Sequence, residues 1–183
     1  MSEPDLRYPI GRFARPAETT DETRAGWIEE IAAAPENVRG AVAGLADEQL
    51  DTPYRPGGWT VRQVVHHLPD SHLNAYVRCK LALTEEEPAI RTYQEARWAE
   101  LPEARTAPPA VSLALLDSLH ERWVLCLRSL PPAAFARTWK HPEWGVLTIG
   151  DLLGLYAWHG RHHVAHITAL RERMGWNGGE ARS

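Results

Sequence analysis

Apolar side chains recur along this chain at steps of three and four residues in four long stretches, the spacing that lays one stripe along an α-helix. The first stretch runs from about Asp21 to Leu45, where Trp27, Ile31, Val38, Val42 and Leu45 share the stripe and Pro35 predicts a kink. The second, Val61 to Leu83, follows Thr60 and Gln63, whose spacing is that of a capping box. Inside it Pro69 removes the hydrogen bond to the Val65 carbonyl, which predicts a bend close to His67. The third covers Val111 to Leu130, with Leu113, Leu116, His120, Trp123 and Leu127 in line. The fourth starts after Thr148, with Asp151 three residues on, and reaches Met174 before Gly175 ends it. Its seam is Ile149, Leu152, Tyr156, His159, His163, His166 and Leu170, so three histidines face the core.

The connecting segments have a different grammar. Pro4, Pro9, Gly11 and Pro16 leave the first ~20 residues without helical periodicity, as an extended arm laid over the domain or over a partner subunit. Between Pro88 and Pro109 a short helical piece, Thr92 to Leu101, carries Thr92 and Glu95 at capping-box spacing and reads as a crossover. After Pro131 and Pro132 comes a loop region bearing Trp139, His141, Pro142 and Trp144. With no alternating strand runs, no repeat and 183 residues, the economical architecture is one all-α domain, a four-helix bundle.

Composition narrows the function. A net charge of -4 lacks the basic excess that phosphate backbones or anionic membranes require, so nucleic acid and membrane are not expected partners. Cys79 and Cys126 form no zinc-ribbon or redox motif and read as packing residues. MSEPDLRYPI has no apolar core of a signal peptide, and no apolar run approaches the roughly 18 residues that span a bilayer, so the expected location is cytoplasmic.

The chemistry lies in the histidines. All of the nine except His120 and His141 fall in two segments, VVHHLPDSH and WHGRHHVAH. His159 and His163, four residues apart, stack on one helix face and can chelate one ion. A third ligand comes from the cluster of His66, His67 and His72 on the second helix, with His67 the candidate. His66 and His162 point about 100° from their neighbours and read as surface or supporting residues. Buried neutral histidines need partners for both ring nitrogens, and a shared ion satisfies several at once. Three imidazoles without a thiolate suit a divalent ion, Zn2+ or Ni2+, and leave a position for bound water. Such an open site supports hydrolysis or activation of a thiol. A metalloprotease of the HExxH kind is excluded, since Gly160 stands where its glutamate would be. Asp70 and Tyr156 are the candidates for acid or base, although Asp70 also reads as a solvated helix carboxylate and Tyr156 as a packed core residue. His166 shares the seam with the same ambiguity, and His120 is a weaker fourth candidate ligand.

These residues resemble a known family. TPYRPGGW, the capped WTVRQVVHH followed by Asp70, Ser71 and His72, and LYAWHGRHHVAHI near the C-terminus are similar to the YfiT-type metal-dependent hydrolases of the DinB/YfiT superfamily, and the likeness begins at LRYPIG. The resemblance implies a homodimer of up-down-down-up bundles, each a DinB-like domain over residues 1–183 with one divalent ion held by His67, His159 and His163. It implies a hydrolase with metal-bound water acting on a small molecule. Related bundles instead join a low-molecular-weight thiol such as bacillithiol to an electrophile, and for that activity Arg62 or Arg161 is a candidate to hold a carboxylate of the thiol. A bundle in which the ion only braces helix packing is the third reading. No organic cofactor is expected.

Overall fold

Three threonines start three of the long helices, because each side chain accepts a hydrogen bond from the backbone N–H three residues on and so satisfies a donor that the first turn leaves free. In the computed structural model, which describes residues 5–16 and 18–176, Thr20 caps α1 (Asp21–Val42), Thr60 caps α3 (Val61–Thr84) and Thr148 caps α7 (Ile149–Met174). Thr60 with Gln63 and Thr148 with Asp151 form the reciprocal capping boxes that their spacing predicts. The remaining long helix, α6 (Pro109–Arg128), begins at a proline, whose missing N–H costs nothing at the first helical position. Gly175 closes α7 at φ 68°, a left-handed conformation that suits glycine. Helices α1 and α3 run on through Pro35 and Pro69. Short helices α2 (Asp47–Leu50), α4 (Glu95–Trp98) and α5 (Pro102–Thr106) occupy the connections.

Cross-helix contacts fix the directions. His66 meets Ser112 and His72 meets His120, so α3 and α6 run parallel. Tyr156 meets Ser71 while His159 meets His67, so α7 is antiparallel to α3. Helix α1 pairs Glu29 with Arg128 and Arg39 with Asp117, antiparallel to α6. The order is therefore up-down-down-up. Helices α1 and α3 each pack mainly against both α6 and α7, which leaves α1/α3 and α6/α7 as the diagonals. Two parallel neighbours need a long connection, and the 85–108 crossover supplies it.

Two apolar clusters fill the bundle. One gathers Ile31, Ala75, Cys79, Trp123, Leu127 and Leu153 at one end. The other gathers Val38, Val61, Val64, Leu68, Leu116 and Ile167 at the opposite end. Between them, on every long helix but α1, lies a layer of histidines: His67 and His72 on α3, His120 on α6, and His159, His163 and His166 on α7.

Two expectations need correction, and one open alternative is decided. The stretch after Pro132 is not a plain loop: β1 (Thr138–His141) and β2 (Gly145–Thr148) form an antiparallel hairpin, with Trp139 opposite Leu147. Trp139 and His141 turn inward and Lys140 outward, a period of two too short to read in four residues. Thr92 does not cap the crossover helix, since α4 starts at Glu95 without a side-chain cap. The arm lies over its own domain, running antiparallel along α7: Tyr8 faces His162, Phe13 faces Trp158, and Arg15 grips Asp151 with two bonds of 2.6 Å. Residues 1–4 and 17 of the proposed arm, and 177–183 of the proposed domain, lie outside the described residues. Among the described residues no helix is long and apolar enough to cross a membrane.

Candidate metal centre

His67 projects from the second turn of α3, and His159 and His163 from successive turns of α7, the antiparallel neighbour. This brings one ring nitrogen from each of the three to within 4.8 Å of the others. The Nε2 atoms of His67 and His159 are 3.4 Å apart. Two lone pairs at that distance gain nothing from each other; they suit a shared cation. Burial pushes His67 down to about 4 and holds His159 and His163 well below the ordinary imidazole value, with neighbouring histidines adding to the effect. All three are neutral near pH 7, the state in which imidazole can ligate a metal. By donor chemistry and spacing, the residues fit a divalent ion with three nitrogen ligands.

The other histidines support this layer. His72 places Nε2 3.1 Å from Nδ1 of His159, and its Nδ1 lies 2.8 Å from Nε2 of His120. His120 Nδ1 is in turn 2.6 Å from the Ile31 carbonyl oxygen, so His120 is a supporting residue and not a fourth member of the triad. His166 stacks on Tyr54 and sits 3.4 Å from His163, Nδ1 to Nδ1. His66 is buried, not on the surface, between the Ser112 hydroxyl at 2.6 Å and the Ala107 carbonyl at 3.0 Å. His162 is buried too, stacked on Trp158.

Two cavities share His159, and the first is lined by all three histidines of the triad. One, of about 420 Å³, is walled by Tyr8, Tyr54, Arg55, Trp59 and the α7 histidines. The other, of about 520 Å³, is walled by Ser71, Arg78, Tyr93, Trp144 and Tyr156. Both include His159, Trp158 and Glu95. Glu95, which spacing suggested as a helix cap, instead presents a carboxyl to both spaces, and although it is exposed its partial desolvation raises that carboxyl. Nothing in the periodicity distinguishes Glu95, because it lies in the crossover.

Tyr156 and Asp70 occupy unlike places. The Tyr156 hydroxyl donates to the Ser71 carbonyl at 3.2 Å, and complete burial raises its pKa, so it remains a neutral donor. Its ring lies 5.4 Å from that of His159. Asp70 lines neither cavity; burial, and then the Glu103 charge, push its carboxyl up to about 6. The arginines differ from expectation as well. Arg62 is buried and spent on Asp51, Asp47 and the Ala107 carbonyl, and Arg161 pairs with Glu30. Arg7 and Arg55 are the arginines at the first cavity. Cys79 sits in the core with its thiol pushed up to about 12 by burial, inert as a nucleophile or ligand.

Comparison with known proteins shows the family and the fold. The family model of the DinB superfamily matches residues 14–167. A protein of Bacillus mycoides named "Putative metal-dependent hydrolase" is 56% identical over 172 residues, covering 94% of this chain and 99% of its own length. A protein of the same name from Bacillus cereus is 55% identical over the same span, again 94% and 99%. Among solved structures, YfiT from Bacillus subtilis, described as "a probable metal-dependent hydrolase with an unusual four-helix bundle topology", superposes with a TM-score of 0.92 at 51% identity, covering 94% of this chain and 99% of that one. TT2238, a four-helix bundle protein, shares the fold at a TM-score of 0.56 and 22% identity over 80% of this chain and 99% of its own.

Proposed function

The chain belongs to the DinB superfamily, and from that premise we propose that it is a metal-dependent hydrolase, with His67, His159 and His163 holding one divalent ion per subunit. The observation that carries this reading is the convergence of three neutral ring nitrogens within 4.8 Å on the wall of one cavity, with a second cavity reaching His159. When bound, a divalent ion of the zinc or nickel kind supplies Lewis acidity, enough to polarise a carbonyl and to acidify water near neutral pH.

The chain's own residues supply the rest. Trp59, Trp158 and Tyr156 wall the approach to the triad and limit the water that reaches it. In this reading Glu95, shared by both cavities and with a raised carboxyl pKa, takes a proton from a nucleophile. In the same reading Tyr156, neutral and lining the second cavity, gives a proton to a leaving group. Asp70 acts at most through the fold, since it reaches neither cavity. A small-molecule substrate fits spaces of about 420 and 520 Å³. The reading extends to a cytoplasmic homodimer, for which exposed Leu73 and Val77 on α3 and Val111 and Leu115 on α6 offer apolar surface. Light scattering at micromolar concentration tests that part.

The activity is tested on protein purified without a nickel column and quantified for bound metal, incubated with a panel of esters, amides and epoxides. Water is the sole nucleophile in one arm, and bacillithiol is added in the other. Turnover in water that needs metal and is lost in His163→Ala supports the hydrolase. Product only with the thiol transfers the same site to an S-transferase, and bound metal without turnover in either arm leaves the ion a brace for the bundle.

A further inference from the structure

We propose that His72, His120 and His166 are positioning residues: two hydrogen-bonded relays, anchored on the backbone carbonyls of Ile31 and Arg7, fix His159 and His163 in the Nδ1–H tautomer so that each turns its Nε2 lone pair toward the ion. The inference rests on the metal reading above and adds to it the device that prepares the ligands.

A carbonyl oxygen only accepts, so His120 Nδ1, 2.6 Å from the Ile31 oxygen, carries the ring's hydrogen. A neutral imidazole has one N–H, which leaves His120 Nε2 as an acceptor. His72 Nδ1, 2.8 Å away, must therefore donate to it, and His72 Nε2 becomes an acceptor in turn. That nitrogen faces His159 Nδ1 at 3.1 Å, so His159 donates through Nδ1 and its lone pair resides on Nε2. This Nε2 is the atom 3.4 Å from Nε2 of His67. The premise of neutrality follows from burial: His72 and His120 are 0 and 1% exposed, and among the described residues no carboxylate is hydrogen-bonded to either.

The second relay repeats the logic on the other ligand. The Arg7 carbonyl accepts from His166 Nε2 at 3.1 Å, which makes His166 Nδ1 an acceptor. It faces His163 Nδ1 at 3.4 Å, and His163 is left with its lone pair on Nε2. Thus α1 and the N-terminal arm, which contribute no ligand, each set the tautomer of one. Outer partners of this kind typically change metal affinity by 10- to 100-fold.

The test begins with the metal-free wild-type protein, whose ring nitrogens are read by long-range proton–nitrogen correlation. Hydrogen on Nδ1 of His159, His72 and His120 and on Nε2 of His166 supports the relays, whereas hydrogen on Nε2 of His159 overturns them whether or not zinc binds. Zinc affinity is then measured by chelator competition. His120→Leu, which removes both hydrogen bonds, should weaken zinc on the order of 10-fold and release His159 into a mixture of tautomers. His120→Gln, which keeps one donor for Ile31 and one acceptor for His72, should restore affinity close to wild type. Equal loss in the Gln and Leu variants would mean that the site needs only the ring's bulk. If His120→Leu does not fold, the wild-type spectrum and the Gln variant still decide the matter. A wild type that binds no zinc sinks the metal reading itself, even with every tautomer as drawn.

Discussion

Gly154→Ala puts the packing of the metal-bearing helix to a quantitative test. Gly154 lies on α7 five residues before His159, where α7 meets the parallel α1, and a Cβ built there would sit 3.0, 3.1 and 3.3 Å from Cη2, Cζ2 and Cζ3 of Trp27. Carbon atoms rest about 3.5–4.0 Å apart, so the indole or the helix must retreat by about half an ångström. Overpacking of that sort costs ~1–3 kcal/mol, while alanine in place of a helical glycine returns ~1 kcal/mol. The net is a loss of ~1 kcal/mol, or a fall of ~2–4 °C in melting temperature for a chain of this size. Gly26→Ala is the control: Gly26 is also helical, on α1, and its Cβ meets nothing within 4 Å. That variant keeps the propensity gain alone and should melt ~2–4 °C higher than wild type. Calorimetry on the metal-free proteins measures both, and a zinc titration should find affinity reduced only in Gly154→Ala, whose helix carries His159 and His163. Should Gly154→Ala melt as high as Gly26→Ala, the close α1/α7 approach does not exist in solution.

Other perturbations have equally definite outcomes. Zinc at 100 times its dissociation constant stabilises the wild type by ~2.7 kcal/mol; His163→Ala should lose nearly all of that shift in a thermal melt while folding normally without metal. Asp70→Asn should stabilise the protein at pH 7, because the folded state raises this carboxyl from 3.8 to about 6 and so disfavours its charge. The full shift corresponds to ~3 kcal/mol, but solvent screens a half-buried group, so ~1 kcal/mol is expected, vanishing near pH 4 where the unfolded carboxyl also protonates. Denaturant titrations at the two pH values give the answer. For His120 the sign is opposite: its folded pKa is depressed below 6.5, chiefly by burial, so below pH 6.5 the unfolded chain binds the extra proton and stability falls as pH drops. The slope is at most ~1.4 kcal/mol per pH unit for this one residue, and His120→Gln should remove that share in urea unfolding of the metal-free protein. Tyr156→Phe, which gives up the bond to the Ser71 carbonyl, should cost ~1 kcal/mol in the melt and lower kcat more than KM if this hydroxyl protonates a leaving group.

The long helices are legible in the chain because their signals are local. Thr60 with Gln63 and Thr148 with Asp151 sit three residues apart and need no other part of the protein to cap their helices. The i, i+4 spacing of His159 and His163 is likewise a property of one helix, and so is the inward seam on which they lie. What failed was short or conditional. A four-residue strand such as Thr138–His141 has too few alternations to show a period, and its inward turn depends on a core to receive Trp139. The pairing of Thr92 with Glu95 had the right spacing, but the helix begins at Glu95 itself.

Four amphipathic helices, the caps on those at Thr60 and Thr148, and the faces of α3 and α7 that carry imidazoles are all readable along the chain, because each follows from neighbours within a few residues. The roles within the histidine layer come from the packing of the helices. His67 and His72 both approach His159, one toward Nε2 and the other toward Nδ1, and the rotation of α3 against α7 makes the first a candidate ligand and the second its support. The same holds for the Ile31 and Arg7 carbonyls, which face His120 and His166 from 89 and 159 residues away. Every peptide has a carbonyl, so its identity carries no signal in the sequence. Packing alone selects the ones that orient an imidazole.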